Sequence, residues 1–437
     1  MNTHGPRRPL WLPLFLLSIA AACNDSGDGA TGATGERGAV LCSDDLDNDA
    51  DGFKDCADQD CWAEASCLAP DASNPGDSNG GADTASTPDT TAVDDTETPD
   101  ATTPPPLDCD PCGNGSVTGR ACAPSATAAV SQATVTVSGI GCDGNPFTLT
   151  ATSGADGNFN FPAVPCGTHT LTIERGSFRR DVDVMVANGR NTNLGEGATK
   201  ACFQAAAARV AVLAGTWDHM QDLLTRLGIA FDLYTDDGTG AAGEIVALLS
   251  DSGAMAAYDI IFANCGHTHG NMPKDHPAVM ANVRDFILEG GSFYMSDYAW
   301  TYGEWAFPDA IEFQRSDDVL DMYSERSPQL IPSDQRVNAR VVDGNLAAFL
   351  GAETLEVHFD SGPQIATEKV GTAFAHVVAD FPAILAVGTD FQTRNVPLVI
   401  SYRPAAGAGR VVYTNFHNDA QTTADMMAIM TYLVFSL

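Results

Sequence analysis

The chain has 437 residues, with 57 acidic against 22 basic side chains and a formal net charge of −35. At roughly 150 residues per domain this is too long for one ordinary core, while a hydrophobic content of 44% is enough for at least one well-packed domain. Charge of this sign repels phosphate backbones and anionic surfaces, which argues against nucleic acid as a partner.

At the N-terminus Arg7 and Arg8 precede an apolar run over residues 10–22, and Ala20, Ala21 and Ala22 lead into Cys23. Charged n-region, apolar h-region and small-residue cleavage site make residues 1–22 an export signal. No other run is long enough to span a bilayer. A cysteine directly after small residues resembles a bacterial lipoprotein signal. The resemblance implies acylation of Cys23, a lipid anchor in the membrane, and an outer-membrane or cell-surface location. A plain secretory signal, with a periplasmic or secreted product, is the alternative.

Twelve cysteines in an exported chain point to disulfides. Cys42, Cys56, Cys61 and Cys67 form one group, and Cys109, Cys112, Cys122, Cys142, Cys166 and Cys202 a second, whose pairing spacing alone does not fix. Cys265 is the odd thiol.

Residues 24–107 hold 20 acidic and 2 basic side chains, a composition that cannot collapse into a core. Residues 23–41 read as a flexible acidic segment and residues 68–107, rich in Pro, Thr and Asp, as an extended stalk. Between them, residues 42–67 carry Asp47, Asp49, Asp51, Asp55 and Asp58 at loop positions one, three, five, nine and twelve, with Gly52 at six. Oxygen ligands at that spacing, with a glycine for the sharp turn, can encircle a calcium ion. The run resembles the cysteine-bounded Asp-rich calcium repeats of bacterial surface proteins and thrombospondin type 3 repeats, which implies a structural calcium.

Residues 108–202 change to short period-two runs, among them 133–137, 147–152, 158–161, 168–173 and 181–186, separated by Gly, Asp and Pro. This predicts an antiparallel β-sandwich. The segments 115–120 (Gly-Ser-Val-Thr-Gly-Arg), 155–159 (Ala-Asp-Gly-Asn-Phe) and 161–169 (Phe-Pro-Ala-Val-Pro-Cys-Gly-Thr-His) resemble the carboxypeptidase regulatory-like domain, whose name implies no peptidase activity. Its only aromatics are four phenylalanines, and no tryptophan or tyrosine pair is present to stack on sugar rings.

Residues 203–437 alternate strand-like and helix-like runs: 209–214, a helix with Trp217, Met220, Leu223, Leu224 and Leu227 on one face, 231–234, 258–263, a helix over 278–288, 290–295 and, much later, 409–414. Repeated βα units predict a doubly wound, flavodoxin-like α/β domain with ligands at the carboxyl ends of its strands. These residues resemble the class I glutamine amidotransferase-like superfamily, including trehalose-utilisation-type proteins. The family's nucleophilic cysteine lies in a strand-to-helix turn between two glycines, followed much later by a His-x-Glu pair. Here Met295-Ser296-Asp297-Tyr298-Ala299 aligns with the turn, so Asp297 stands where the nucleophile belongs, and neither flanking glycine is present. His417 and Asp419 fall at the positions of the family's histidine and acid.

A carboxylate does not replace a thiolate that must attack carbon and leave as a thioester. Ser296, one residue away on a strand, is expected to point to the opposite side. Cys265, in Cys265-Gly266-His267-Thr268-His269, ends a neighbouring strand and is an alternative nucleophile; with His267 and His269 it has a spacing that permits zinc or another metal. Asp218, His219, Cys265, His267, His269, Asp297 and His417 are expected at one sheet edge, either as a ligand or metal site or as a hydrogen-bonded remnant of an ancestral active site. Tyr298, Trp300, Tyr302, Trp305 and Phe307 form either an exposed stacking platform or a loop packed over the sheet.

The sequence therefore predicts a lipid-anchored surface binding or scaffold protein with a catalytically degenerate amidotransferase-like domain, its ligand a carbohydrate or a cell-surface protein. The alternative is an envelope or extracellular hydrolase using His417 and Asp419 with Cys265 or a metal. Five carboxylates within twelve residues repel one another until a divalent ion neutralises them. Calorimetric titration of residues 40–68 with calcium is expected to give binding heat, and silence at millimolar calcium would exclude the site.

Overall fold

The computed structural model describes residues 109–195, 201–235, 243–266, 268–269, 272, 276–313, 335–359, 365–383, 392–416, 418 and 422–437. Cys23 and the calcium ligands Asp47, Asp49, Asp51, Asp55 and Asp58 lie outside them, as do His267, His417 and Asp419.

Seven strands make the first module: β1 (Asn114–Arg120), β2 (Thr134–Ile140), β3 (Pro146–Thr152), β4 (Asn158–Pro165), β5 (Gly167–Arg175), β6 (Phe178–Val186) and β7 (Asn191–Leu194). They form two sheets, β4-β1-β7 and β3-β2-β5-β6. The alternation that predicted strands sorts their faces: Val135 and Val137 of β2, Phe159 and Phe161 of β4, and Leu171 and Ile173 of β5 are buried. The second group of cysteines pairs as Cys109–Cys166, Cys112–Cys142 and Cys122–Cys202. Three disulfides in one small module are those of a non-cytoplasmic protein. Cys265 is free and buried.

The second module begins with β8 (Val210–Leu213), α1 (Met220–Leu227), β9 (Asp232–Tyr234), α2 (Gly243–Ser250), α3 (Ser252–Met255), β10 (Ile260–Ala263), α4 (Pro277–Leu288), β11 (Ser292–Ser296) and α5 (Trp300–Ala306). There follow β12 (Ile311–Phe313), β13 (Gln335–Val341), α6 (Gly344–Leu350), β14 (Thr354–Phe359), β15 (Ala366–Lys369), β16 (Phe374–Ala383), β17 (Gln392–Tyr402), β18 (Val411–Thr414) and α7 (Ala424–Val434). One nine-stranded sheet runs β14-β13-β16-β17-β18-β11-β10-β8-β9. The pairs β9–β8, β8–β10, β10–β11 and β11–β18 are parallel. Strands β17, β16, β13 and β14 continue the sheet antiparallel.

The parallel half explains the continuous burial of β8, β10, β11 and β18, since helices cover both of its faces. One face packs with Leu223, Leu224 and Leu227 of α1 and with Met426, Ile429 and Met430 of α7. The other packs with Leu248 and Leu249 of α2 and with Val279 and Val283 of α4. To the parallel half the structure adds what the expectation of a doubly wound domain did not include: the chain between β11 and β18 inserts an antiparallel extension whose strands alternate rather than run apolar, as β14 does. The aromatic segment is no stacking platform. Tyr298, Trp300 and Tyr302 are buried, and all but the first lie on helix α5. Among the described residues no helix is long and apolar enough to cross a membrane.

One apolar core runs through both modules. Phe178, at the start of β6, packs against Phe203 and Phe435 at ring-centroid distances of 5.8 and 5.0 Å. Beside it Ser177 N–H donates to the Leu437 carbonyl at 2.5 Å, and Gly176, at φ 57°, brings the hairpin so close that a Cβ there would collide with the same carbonyl. Phe178→Ala removes a ring from this fully packed junction and is expected to cost about 3–5 kcal/mol. Chemical denaturation, followed by fluorescence, should show the loss in a transition shared by both modules.

Candidate functional site

In a parallel sheet the side chains at the carboxyl strand ends face one crevice, deepest where successive connections leave in opposite directions. Here β8 connects to β9 on one side and β10 lies on its other side, so the crevice falls between β8 and β10. The loops after β8, β10, β11 and β18 supply Asp218, Cys265, Asp297 and Asn418 to it.

Two glycines let the first two loops touch. A Cβ at Gly215 would run into the Cys265 carbonyl, and one at Gly266 into the backbone of Thr216. The contact is closed by Trp217 N–H donating to the Cys265 carbonyl at 3.1 Å. Strand β11 ends differently. Asp297 has φ 37°, in the left-handed region that aspartate enters more readily than most residues, and the chain turns there into a short 3-10 helix and then α5. A residue held so stores about 1–3 kcal/mol of strain.

That turn overturns the expectation for Ser296. Strand alternation would have sent its side chain away, but the alternation ends at the left-handed residue, and Ser296 Oγ sits inside the cluster. It accepts the Cys265 backbone N–H at 3.0 Å and donates to the Asp218 carboxylate. Asp218, fully buried, also accepts Asn418 N–H at 2.9 Å on its other oxygen. Asn418 Nδ2 then donates to the His219 carbonyl at 2.9 Å, and His219 N–H returns to the Asn418 carbonyl at 2.9 Å. The Cys265 thiol donates to Asp297 Oδ2 at 3.6 Å.

Of the residues expected at this edge, the structure brings together Asp218, Cys265 and Asp297, with His219 tied in through its backbone. His269 is committed elsewhere: Nδ1 meets the Tyr302 hydroxyl at 2.9 Å and Nε2 the Ala214 carbonyl at 2.9 Å. A metal at Cys265 and His269 would have to break one of these bonds. Among the described residues no group of three or more His, Cys, Asp and Glu is arranged to hold a metal. Asn418 and Ser296 are the contributors that sequence reasoning missed, because a hydroxyl and an amide carry no motif.

Electrostatics follow from burial. The Tyr294 phenol, bonded to Thr414 at 2.8 Å, is pushed well above its ordinary value by burial and then by the charge of Asp218. Burial alone pushes the Tyr302 phenol up. Both stay neutral hydrogen-bonding groups. Chemically, Cys265 is buried in a cluster with Trp217 and Tyr298 and has a carboxylate as its polar partner, whereas reactive thiolates sit beside cations. A carboxylate as the thiol's partner suits hydrogen bonding better than nucleophilic attack.

Fold and site thus describe a disulfide-linked β-sandwich joined to a mixed α/β domain with a buried polar crevice. Residues 116–196 match the carboxypeptidase regulatory-like domain, which is the sandwich, and this domain suggests a binding or scaffold role. No curated protein matches the chain. Among solved structures, PurLQS from Thermotoga maritima is similar at 8% identity and a TM-score of 0.32, over 52% of this chain and 97% of its own. A protein from Thermoplasma acidophilum, described as one of the subunits of GMP synthase, is similar at 12% identity and 0.33, over 52% of this chain and 93% of its own. A cytoplasmic protein from Salmonella typhimurium LT2 is similar at 10% and 0.32, over 52% and 96%. Likeness at this level is distant and carries no argument about fold or activity.

Ser296→Ala strips one donor from a carboxylate that has no access to water. It is expected to lower stability by about 1–3 kcal/mol, read as a shift in the denaturation midpoint, with Ser296→Thr recovering part of it.

Proposed function

We propose that this chain is an exported, lipid-anchored cell-surface protein that binds a polar ligand, a carbohydrate or a partner protein, in the crevice of an amidotransferase-like domain without amidohydrolase activity. The observation that carries the reading is Asp297: an acid occupies the left-handed strand-to-helix turn, and its carboxylate accepts a hydrogen bond from the one free thiol among the described residues. A flavodoxin-like ancestry is supported by the parallel strands, which stand in the order second, first, third, fourth, fifth. The binding role is supported by the sandwich domain. Anchoring rests on Cys23, and a structural calcium on Asp47, Asp49, Asp51, Asp55 and Asp58.

The test is enzymatic. Purified full-length protein is expected to hydrolyse neither glutamine nor a γ-glutamyl anilide, and Asp297→Asn to change thermal stability without creating turnover. Hydrolysis that disappears on His417→Ala would overturn the reading and leave Cys265 or Ser296 as the nucleophile of a hydrolase.

A further inference from the structure

Beside its acids the crevice floor carries buried amides. Ala263 pairs with Met295 across β10 and β11, and Ser296 with Thr414 across β11 and β18, so Asn264 stands beside Ser296 in the same row. Asn264, Ser296 and Thr414 follow Phe262, Tyr294 and Val412 by two residues, which puts them on the sheet face that α1 covers. The contacts agree. Asn264 Nδ2 donates to Gln221 Oε1 on α1 at 2.9 Å, Ser296 donates to Asp218, and the Tyr294 and Thr414 hydroxyls share a hydrogen bond of 2.8 Å. Asn418 joins from the chain after β18, its N–H on Asp218 and its Nδ2 on the His219 carbonyl, both at 2.9 Å.

Asn264 and Asn418 are thus tethered through their amide nitrogens to one turn of α1, at Gln221 and at its N-cap His219. Both are buried, at 0% and 1% exposure, and the Oδ1 atom of each has no hydrogen-bond partner. For Asn418 the orientation is fixed. The His219 carbonyl only accepts, so the amide must turn its nitrogen there and leave its oxygen over. A buried amide oxygen without a donor costs stability, and two of them around one buried carboxylate call for a common occupant.

Neither oxygen touches space open to a water molecule. A water needs a void of its own size and stands about 2.7–3.0 Å from its partner. A dehydrated cation needs less room: calcium, an ion of sodium's size, sits about 2.3–2.6 Å from oxygen ligands that enclose it.

We infer that Asn264 Oδ1, Asn418 Oδ1 and the Asp218 carboxylate are oxygen ligands of an alkali metal cation, sodium or potassium, held between α1 and the carboxyl ends of β10 and β11. Ligand type selects a hard ion, because the set is all oxygen, without sulfur or imidazole. Charge selects the valence. Asp297 turns its Oδ2 to the Cys265 thiol, so the set contains one carboxylate, which one positive charge neutralises, whereas a divalent ion would bury its second charge without a counter-ion. A net charge of −35 raises the local concentration of small cations around the whole molecule. The ion is structural, and it does not depend on what the crevice binds.

The experiment is thermal unfolding of the full-length chain in sodium, potassium and choline chloride at one ionic strength, with calcium held constant. Choline screens charge equally but is too large to be enclosed. At about 100 mM the preferred alkali ion is expected to raise Tm above its choline value by about 2–4 °C, as loading of a single site implies. The larger rise shows whether the site takes sodium or potassium. Asn264→Ala and Asn418→Ala each remove one ligand, and in both the excess over choline is expected to shrink to less than half. If Asn418→Ala does not fold, Asn264→Ala decides alone. Equal Tm values in the three salts, or an undiminished excess in Asn264→Ala, would overturn the site. The readout uses no substrate, so hydrolysis of glutamine would sink the binding role proposed above and leave the cation site standing.

Discussion

Asp218 is a carboxylate with no contact to water, and the carboxyl edge of the sheet is organised around it. A buried ion of this kind is tolerated only when other groups supply donors in good geometry. They come from different loops: Ser296 at the end of β11 and the Asn418 backbone after β18, while Cys265 N–H beyond β10 holds Ser296 itself. The four strand ends are thereby fixed relative to one another by one charge. Ser296, the residue before Asp297, is held by this set of hydrogen bonds where the backbone turns left-handed.

The left-handed turn after β11 presents an acid, and the one free thiol among the described residues donates to that acid in a cluster with Trp217 and Tyr298. Preorganised polar groups remain, which is what a binding site needs, but no cation stands by the thiol among the described residues to favour a thiolate.

The two modules do not behave as beads on a string. The Phe178, Phe203 and Phe435 rings and the backbone contact at Gly176 join them in one apolar core. Acids lie at the carboxyl ends of the parallel strands.

Much of this was legible in the sequence. Period-two runs placed the strands of the sandwich, and βα alternation placed β8, α1, β10, α4 and β11, because burial on one face or on both leaves a direct mark on residue order. The convergence of Asp218, Cys265 and Asp297 was legible too, since carboxyl ends of parallel strands must share an edge. The antiparallel half of the sheet was not: its strands are half-exposed and pair across long intervals, and pairing leaves no local trace. Ser296 was misread because one left-handed residue ends the alternation on which the reading relied. The disulfide pairing lay beyond the sequence altogether. Its members are scattered along the chain, and only the folded backbone, closing those intervals at the cost of chain entropy, brings them within bonding distance.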